Sequence, residues 1–408
     1  MNIKGFTTKI LHLDRQKTIE HGSVHKPVHN SVAYAYQTAE ELAAVFQGKE
    51  KGYSYGRQNN PTTTALEEKI TLMEQGLETV CFATGMAAIS AAMFSLLRSG
   101  DHLIASQYLF GNTNSLFNTL TQFGIQVSFV DGTDVSAVEE AVLPNTRAVF
   151  VETIANPCTQ IADLAGIGKF CEERELLYIV DNTMTSPLLF LPKDVKAGLV
   201  INSLTKCIAG HANVLGGAVT ETGLFDWSRF PNILNNYKKG DYRRWGLLQI
   251  RKKGLRDTGA TLAPDSASRI ALGAETLELR MPRACTNAKA LATFFDEHPA
   301  IEKVHYPGLE AHPQHDRGRD LFADFGSLLS IDLVDGYDCF AFLNRLQCCV
   351  LSSHLGDNRT LCIPVAHTIF YEMGAERRTS MGISDNTVRI SVGIEDQQDL
   401  IADFSNSL

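Results

Sequence analysis

The 408-residue sequence lacks any segment typical of membrane insertion or secretion. None of its uninterrupted apolar runs approaches the length of about 18 residues that a membrane helix needs. Its start, MNIKGFTTKILHLDRQ, has no apolar core of about 7–15 residues and no small-residue cleavage site. We therefore expect a cytoplasmic protein that has no membrane partner.

Cysteine pairs at the spacing of metal or redox sites are also lacking. The nine cysteines are scattered, and although Cys348 and Cys349 are adjacent, there is no CxxC pair. Reduced thiols that mostly fill the core are the simplest interpretation. His312 and His315 in HPQH have no matching set of Cys, Asp or Glu, so we predict a loop there and no metal site.

Positive charge is in short supply. Lys and Arg total 37 against 46 Asp and Glu, which gives a formal net charge of −9. General affinity for nucleic acid is therefore not expected. One stretch, 238–256, is basic and holds Lys238, Lys239, Arg243, Arg244, Arg251, Lys252, Lys253 and Arg256. We interpret it as a solvated helix, and a guide for anionic substrates is the alternative.

Strand-like and helix-like segments alternate between about residues 60 and 222. Helical patterns such as Met86–Leu97 and Leu164–Glu175 separate most of the strand-like runs. The predicted strands are Val80–Ala83, His102–Ala105, Gln126–Val130, Ala148–Glu152, Leu177–Val180, Leu199–Asn202 and Gly217–Thr220. This alternation indicates an α/β fold with a mostly parallel, doubly wound sheet.

The rest of the chain predicts an arm and a smaller unit. Residues 1–60 contain many turn residues and one helical piece, Thr38–Phe46, so we interpret them as an N-terminal arm. Residues 61–260 would form the large domain, and residues 261–408 a C-terminal α+β domain. That domain would begin with a long helix, about Asp265–Asp296, and end with the strand Val388–Val392.

A carboxylate and a lysine follow two neighbouring predicted strands. Asp181 comes directly after LLYIV, and Lys206 follows LVIN with SLT between. Both would lie at the carboxyl edge of a parallel sheet, where ligands bind in open α/β folds. Such a pair suits pyridoxal phosphate (PLP), which needs an amine for a Schiff base and an acidic partner for its pyridine nitrogen. Taken separately, Asp181 would most often be a helix cap and Lys206 a surface lysine.

Other polar residues could complete such a site. Gly85 and Met86 open the helix after the first predicted strand, and a helix N-terminus can hold a phosphate. Ser203 and Thr205 alternate ahead of the lysine, so both hydroxyls could face the same site. Arg389, within VRISV, could clamp a substrate carboxylate. Each residue also has an ordinary structural explanation, and their joint occurrence in this order favours the cofactor site.

Seven segments of the chain resemble the Cys/Met-metabolism (transsulfuration) family of PLP-dependent enzymes. They are YGRQNNPT at 55–62, ATGMAA at 83–88, ETIANP at 152–157, VDNT at 180–183, SLTKCIAGH at 203–211, RMPRACTNA at 280–288 and VRISVGIED at 388–396. The resemblance is greatest to the cystathionine γ-synthase and O-acylhomoserine sulfhydrylase members. It implies a type I PLP-dependent fold, like that of aspartate aminotransferase, and a small-molecule amino-acid substrate. It also implies a homodimer at least, and usually a homotetramer with shared active sites.

The resemblance implies a role for individual residues as well. Lys206 would form the Schiff base with PLP and later move protons, and Arg389 would hold the substrate α-carboxylate, with His354 bordering the substrate. Tyr55 and Arg57 would reach the cofactor phosphate of a neighbouring subunit, and Tyr55 could supply a proton. The other cofactor-binding residues would be Asp181 at the pyridine nitrogen, Thr183 beside it, Phe110 stacked on the ring, Asn156 at the ring hydroxyl, and Gly85, Met86, Ser203 and Thr205 at the phosphate.

Several positions depart from the family pattern. Phe110 stands where the ring-stacking residue is usually Tyr, which keeps the stacking but removes a phenolic acid. His354 replaces a Ser before LGD, and Pro364 stands where a His would fall. His354 and His367 are either specificity residues or loop fillers. Asn112 stands where methionine γ-lyases tend to carry Cys, which argues against that activity.

The phenol missing at position 110 bears on the reaction. The conjugate acid of an ester carboxylate has a pKa of about 4–5 and that of a thiolate about 8.5 or above, so a thiolate benefits more from a proton donor. We therefore expect γ-replacement on O-acetyl- or O-succinylhomoserine with a thiol or sulfide. The alternatives are a C–S lyase that releases a 2-oxo acid and ammonia and, remotely, a PLP-binding protein with no catalytic role.

Overall fold

The computed structural model of the protein describes residues 4–16 and 19–408. Within these residues the strands are β1 Glu78–Phe82, β2 His102–Ser106, β3 Gln126–Val130, β4 Thr146–Glu152, β5 Leu177–Asp181, β6 Leu199–Asn202, β7 Gly217–Glu221, β8 Ile301–His305, β9 Leu328–Leu333, β10 Val350–Leu351, β11 Leu361–Pro364 and β12 Thr387–Ser391. They form two sheets. Each strand predicted from the sequence lies within two residues of an observed one.

The larger sheet is mostly parallel, as predicted. Its strand order is β1-β7-β6-β5-β4-β2-β3, and only β7 runs antiparallel to its neighbours. The carboxyl ends of β4, β5 and β6 therefore meet at one edge. The smaller sheet has the order β10-β11-β12-β9-β8 and is antiparallel except for the β10–β11 pair.

Helices cover both faces of the large sheet and one side of the small one. In chain order they are α1 Phe6–His12, α2 Ala39–Phe46, α3 Pro61–Met73, α4 Gly85–Leu96, α5 Gly111–Thr121, α6 Val135–Glu140, α7 Leu164–Arg174, α8 Ser186–Leu189, α9 Trp245–Gln249, α10 Pro264–Ala274, α11 Leu277–Asp296, α12 His315–Leu321, α13 Cys339–Arg345, α14 Ala375–Ser380 and α15 Gln397–Ser407.

Strand β5 shows why this sheet is buried on both faces. Leu177 and Ile179 pack into a core with α4 on one side, whereas Tyr178 and Val180 pack with α7 on the other. Near-continuous apolar runs of this kind are typical of parallel strands covered by helices. Burial on both faces leaves only the strand ends open to ligands, which places the functional residues at the edge where β5 ends.

The prediction of one long helix over residues 265–296 is wrong, because two helices occupy this range. Helix α10 ends at Ala274 and α11 begins at Leu277. Between them, the Glu275 carboxylate accepts a hydrogen bond from Lys69 of α3 at 3.0 Å. Helix α10 thus packs on the large-sheet unit, and the domain boundary at residue 260 stays a prediction.

The solvated helix expected for the basic stretch is confirmed only in part. Short 3₁₀ turns lead into α9 and then into a π-helical segment, Ile250–Arg256, in which Ile250 and Leu255 are buried. Arg251 forms a 2.9 Å ion pair with Glu67 of α3. A Cβ on Gly254 would lie 2.7 Å from the Ala91 carbonyl oxygen, so this segment packs closely on α4.

Neither a membrane-spanning helix nor a metal-binding cluster is found among residues 4–16 and 19–408. None of the helices described there is long and apolar enough to cross a membrane. The same residues contain no group of three or more His, Cys, Asp or Glu side chains that could hold a metal ion. The HPQH segment forms a turn at His312, and His315 is the first residue of α12.

Candidate active site

A cavity of about 510 Å³ opens where β4, β5 and β6 end. Its size lies in the range of about 300–1,000 Å³ that is usual for small-molecule sites. It brings together ten of the residues predicted from the sequence: Gly85, Met86, Phe110, Asn156, Asp181, Thr183, Ser203, Thr205, Lys206 and Arg389. His354 also lines it. These residues come from segments that are far apart in the chain, so only the fold unites them.

Lys206 lies on a tight turn that follows β6. Its N–H donates to the Ser203 carbonyl oxygen at 3.2 Å, and its carbonyl oxygen accepts from Gly210 N–H at 2.8 Å. Burial, with a smaller contribution from the positive charge of Arg389, lowers the pKa of Lys206 to about 8. The lowered pKa enlarges the unprotonated fraction of this amine near neutral pH, which suits a nucleophile and a base.

Asp181 and Glu152 place two buried carboxyl groups side by side. They are register partners at the ends of β5 and β4. Burial raises the pKa of Asp181 to about 6, while hydrogen bonds from Thr183 oppose the rise. The pKa of Glu152 is raised further, by burial and then by the Asp181 charge. Asp181 is thus the more readily ionised member of the pair.

Glu152 is the main site residue that the sequence analysis missed. Its side chain accepts a 2.8 Å hydrogen bond from the backbone N–H of Phe110, just before α5. Glu152 therefore holds the start of the segment that carries the phenyl ring over the cavity. Its position at the end of a predicted strand, next in the sheet to Asp181, was the signal that could have identified it.

The N-terminus of α4 faces the cavity. The Thr84 hydroxyl caps this helix by accepting from Ala87 N–H at 2.9 Å. A Cβ on Gly85 would lie 3.0 Å from the Ser203 hydroxyl oxygen, so a glycine is needed for this close approach. The hydroxyl and the free N–H groups of the first helical turn are thus neighbours, as an anion-binding cradle requires.

The hydroxyls of Thr205 and Thr183 are bonded to the protein backbone, so both residues have a structural role that was not expected. The Thr205 hydroxyl donates to the Gly216 carbonyl oxygen at 3.1 Å and accepts from Gly216 N–H at 3.0 Å. Its proton is therefore already engaged with the backbone. Thr183 accepts from Ser203 N–H at 2.8 Å, and its own N–H donates to Asp181 at 3.0 Å. Thr183 thereby connects the ends of β5 and β6.

Arg389 lies deep in the same cavity. It extends from β12, and its guanidinium donates to the carbonyl oxygens of Ser353 and His354 at 3.0 and 2.8 Å. A longer contact of 3.4 Å joins it to the Asn156 side-chain oxygen. Burial lowers its pKa to about 10. Its buried Nε has no hydrogen-bond partner among the described residues, which leaves it free for a carboxylate ligand.

Tyr55 and Arg57 are the two predicted site residues that do not line this cavity. Tyr55 is 46% exposed. The Arg57 guanidinium carbon lies 5.5 Å from the centre of the Tyr55 ring, and Arg57 also donates to the Arg256 carbonyl oxygen at 2.6 Å. A role of these residues in the site of another subunit stays a prediction.

The Cys/Met metabolism PLP-dependent enzyme family matches residues 7–408 of the chain. The chain belongs to this family. The predicted recognition, the α/β fold and the cofactor are thereby confirmed, and the protein is a PLP-dependent enzyme.

Individual relatives differ in activity. L-methionine γ-lyase of Fusobacterium nucleatum subsp. polymorphum is 38% identical over 408 residues, which cover 99% of this chain and 98% of that protein. O-succinylhomoserine sulfhydrylase of Pseudomonas aeruginosa is 34% identical, and the match covers 95% of this chain and 91% of that protein. Membership of the family thus indicates chemistry on sulfur-containing or homoserine-derived amino acids, but it does not identify the particular reaction.

Two solved structures match nearly the whole fold. A Campylobacter jejuni protein assigned as O-acetylhomoserine (thiol)-lyase has a TM-score of 0.93 and 29% identity, with 99% of both chains covered, and carries a pyridoxyl-lysine phosphate. Cystathionine γ-synthase of Xanthomonas oryzae pv. oryzae has a TM-score of 0.88 and 29% identity, and the match covers 100% of this chain and 98% of that one.

The residues of the cavity fit PLP. An amine of lowered pKa, a buried carboxylate and a glycine-lined helix N-terminus lie around one space. Lys206 would bond to the cofactor, Asp181 would pair with the ring nitrogen, and Gly85 and Met86 would hold the phosphate together with Ser203. When bound, PLP supplies an aldehyde and an electron sink for negative charge at the substrate carbon.

Proposed function

We propose that the enzyme catalyses γ-replacement on O-acetyl- or O-succinylhomoserine with a thiol or sulfide. The observation that carries the proposal is Phe110, which lines the cavity and has no proton to donate. A carboxylate leaving group is stable without protonation, whereas a thiolate is a much stronger base. An ester substrate therefore suits this site better than a thioether does.

Each residue acts by position and protonation state. Arg389 holds the α-carboxylate, so the Cα–H and Cβ–H bonds lie within reach of Lys206. Lys206 takes these protons, and the nucleophile adds at Cγ after the carboxylate departs with the electron pair of the C–O bond. Phe110, which is partly buried, and Asn156, which is buried, form part of the cavity wall.

A second copy of the chain completes the site in this proposal. Tyr55 and Arg57 lie outside their own chain's cavity and are accessible. In a homodimer or homotetramer they reach the phosphate of the neighbouring cofactor.

The lyase reaction is the second candidate, because six curated relatives with 32–38% identity are methionine γ-lyases. In that reaction the thiol is eliminated and nothing adds in its place, and water hydrolyses the remaining imine to a 2-oxo acid and ammonia. Asn112, which lines the cavity, argues against a lyase activity. The similarity to methionine γ-lyases weighs against that argument.

A product assay separates the two reactions. Purified holoenzyme is given O-acetylhomoserine, O-succinylhomoserine, methionine or cystathionine, each with and without sulfide or cysteine. We expect an ester to be consumed fastest, with a thioether or homocysteine as product. Faster formation of 2-oxobutanoate from methionine than turnover of either ester would make the replacement proposal wrong.

Restoring a phenol at position 110 tests the leaving-group argument directly. We expect Phe110→Tyr to raise kcat/KM for cystathionine or methionine at least about tenfold more than for the esters, because only the thiolate needs a proton. Phe123→Tyr, at an exposed position outside the cavity, controls for the added hydroxyl. Equal changes in kcat/KM for thioethers and esters would contradict the leaving-group explanation.

Arg389→Lys should raise KM for the amino-acid substrate about 10- to 100-fold and change kcat less. Lysine keeps the charge but loses the planar pair of donors that holds a carboxylate. Steady-state kinetics with the best substrate of the product assay measure both constants. Arg359→Lys is the matched control, since its side chain is 66% exposed. An unchanged KM would show that Arg389 does not bind the substrate carboxylate.

A further inference from the structure

A second cavity adjoins the candidate active site. It has a volume of about 540 Å³ and lies between α5, the segment 369–377 and Phe129 of β3. Asn112 and Ile369 line both this outer cavity and the candidate active site. The start of α5 lies close to the same segment, because a Cβ on Gly111 would lie 3.5 Å from the Ile369 carbonyl oxygen. A molecule in the outer cavity is therefore next to the active site.

The outer cavity carries one acidic and one basic side chain, Glu372 and Arg377. Neither forms an ion pair within residues 4–16 and 19–408, whereas the next residue, Arg378, pairs with Asp385 at 3.3 Å. The other polar residues that line the cavity are uncharged, namely Asn112, Asn114, Ser115 and Asn118. Two opposite charges thus line one space without pairing with each other.

Contacts on one side hold Arg377 in place. Its guanidinium donates to the Gln107 carbonyl oxygen at 3.0 Å, and its central carbon lies 5.9 Å from the centre of the Phe129 ring. A guanidinium has more N–H donors than this single bond uses, and a pair of them can bind both oxygens of a carboxylate. Arg377 therefore keeps donors for a carboxylate ligand.

A ligand that bears both charges suits these residues. The end of an amino acid offers a carboxylate to Arg377 and an ammonium to Glu372, and the neutral amides around them can complete its hydrogen bonds. The far carboxylate of a succinyl ester would be attracted by Arg377 but repelled by Glu372. The charges therefore favour a second amino acid over the acyl group of the first substrate.

We propose that the outer cavity binds the nucleophile as an amino-acid thiol, of which cysteine is the simplest, with its carboxylate at Arg377 and its ammonium at Glu372. The inference rests on the proposed function, because it assumes γ-replacement and names the thiol. The sulfur bonds to Cγ after the C–O bond of the ester has broken, and the proton of the thiol leaves with the carboxylic acid. The product is a thioether with an amino acid at each end.

Thiols that each lack one charge test this assignment. The ester is O-acetylhomoserine, which has no second carboxylate, and KM is measured for the thiol with holoenzyme. Arg377→Gln should raise KM about tenfold for cysteine and 3-mercaptopropionate, and less than about twofold for cysteamine and sulfide. Glu372→Gln should raise KM about threefold for cysteine and cysteamine, and leave 3-mercaptopropionate and sulfide unchanged. Glu376→Gln, on α14 and outside both cavities, is the matched control.

Sulfide separates the binding of the thiol from damage to the catalytic site, since it carries neither of the two charged groups. A comparable rise in KM for sulfide, no rise for cysteine, or a wild type that uses sulfide but not cysteine would overturn the inference and leave the replacement reaction standing. With sulfide as nucleophile, a higher KM for O-succinylhomoserine in Arg377→Gln would show that the outer cavity holds the ester, which also overturns the inference. Absence of ester turnover in the wild type would overturn the proposed function and the inference with it.

Discussion

Lys206→Ala should lose both the absorbance of bound PLP above about 400 nm and at least about 10³-fold in turnover, since base and nucleophile disappear together. The alanine variant removes the only lysine that lines the cavity within the described residues. Absorbance spectra and the product assay at saturating PLP measure the two losses. The fold should persist, because the turn at 203–210 is held by backbone hydrogen bonds.

Lys193→Ala provides the matched control. Lys193 also lies in the part of the chain between β5 and β7, but its amine donates to the Gln75 carbonyl oxygen outside the cavity. It should keep wild-type absorbance and turnover. If the absorbance of bound PLP survived in Lys206→Ala and vanished in Lys193→Ala, the site would be misplaced.

Asp181→Asn should lower turnover about 100-fold or more, whereas Glu152→Gln should change it less than about threefold. The two carboxyl groups are neighbours in the sheet, and burial raises the pKa of Glu152 more than that of Asp181, so Asp181 is the more readily ionised. We therefore expect an amide to remove a charge at position 181 and to replace a protonated carboxyl group at position 152. The amide oxygen introduced by Glu152→Gln can still accept from Phe110 N–H.

The pair is measured by kcat/KM together with the dissociation constant for PLP. Asp181→Asn should also weaken cofactor binding, since the ring nitrogen loses its anionic partner. Comparable losses in the two variants would contradict the assignment of charge to Asp181. A larger loss in Glu152→Gln would transfer the anionic role to Glu152.

The large sheet was predictable because its strands are short apolar runs separated by helical patterns. β3 and β6 agree with their predicted bounds residue for residue. The break between α10 and α11 was not predictable, because the local sequence continues a helical pattern. The end of α10 is instead packed against a distant turn, since a Cβ on Gly273 would collide with the Ala209 carbonyl oxygen. No local pattern encodes such a contact.

The basic stretch shows the same limit. Its charges predict a solvated surface, yet Arg251 is drawn inward by Glu67, which lies 184 positions earlier in the chain. Charge balance between distant segments decides which basic side chains are buried. A composition argument treats all eight residues alike and therefore cannot separate Arg251 from its exposed neighbours.

The order of residues along the chain was enough to predict an α/β enzyme with a lysine and a carboxylate at adjacent strand ends. Strand ends in a parallel sheet must meet at one edge, so Asp181 and Lys206 were predictable from order alone. Only the tertiary structure showed that Glu152 lies against Asp181 and that His354 lies against Lys206. The protonation of these groups depends on burial and on groups that lie far away in the chain. Which of the two carboxyl groups ionises more readily, and how far the pKa of the lysine is lowered, are properties of that packing.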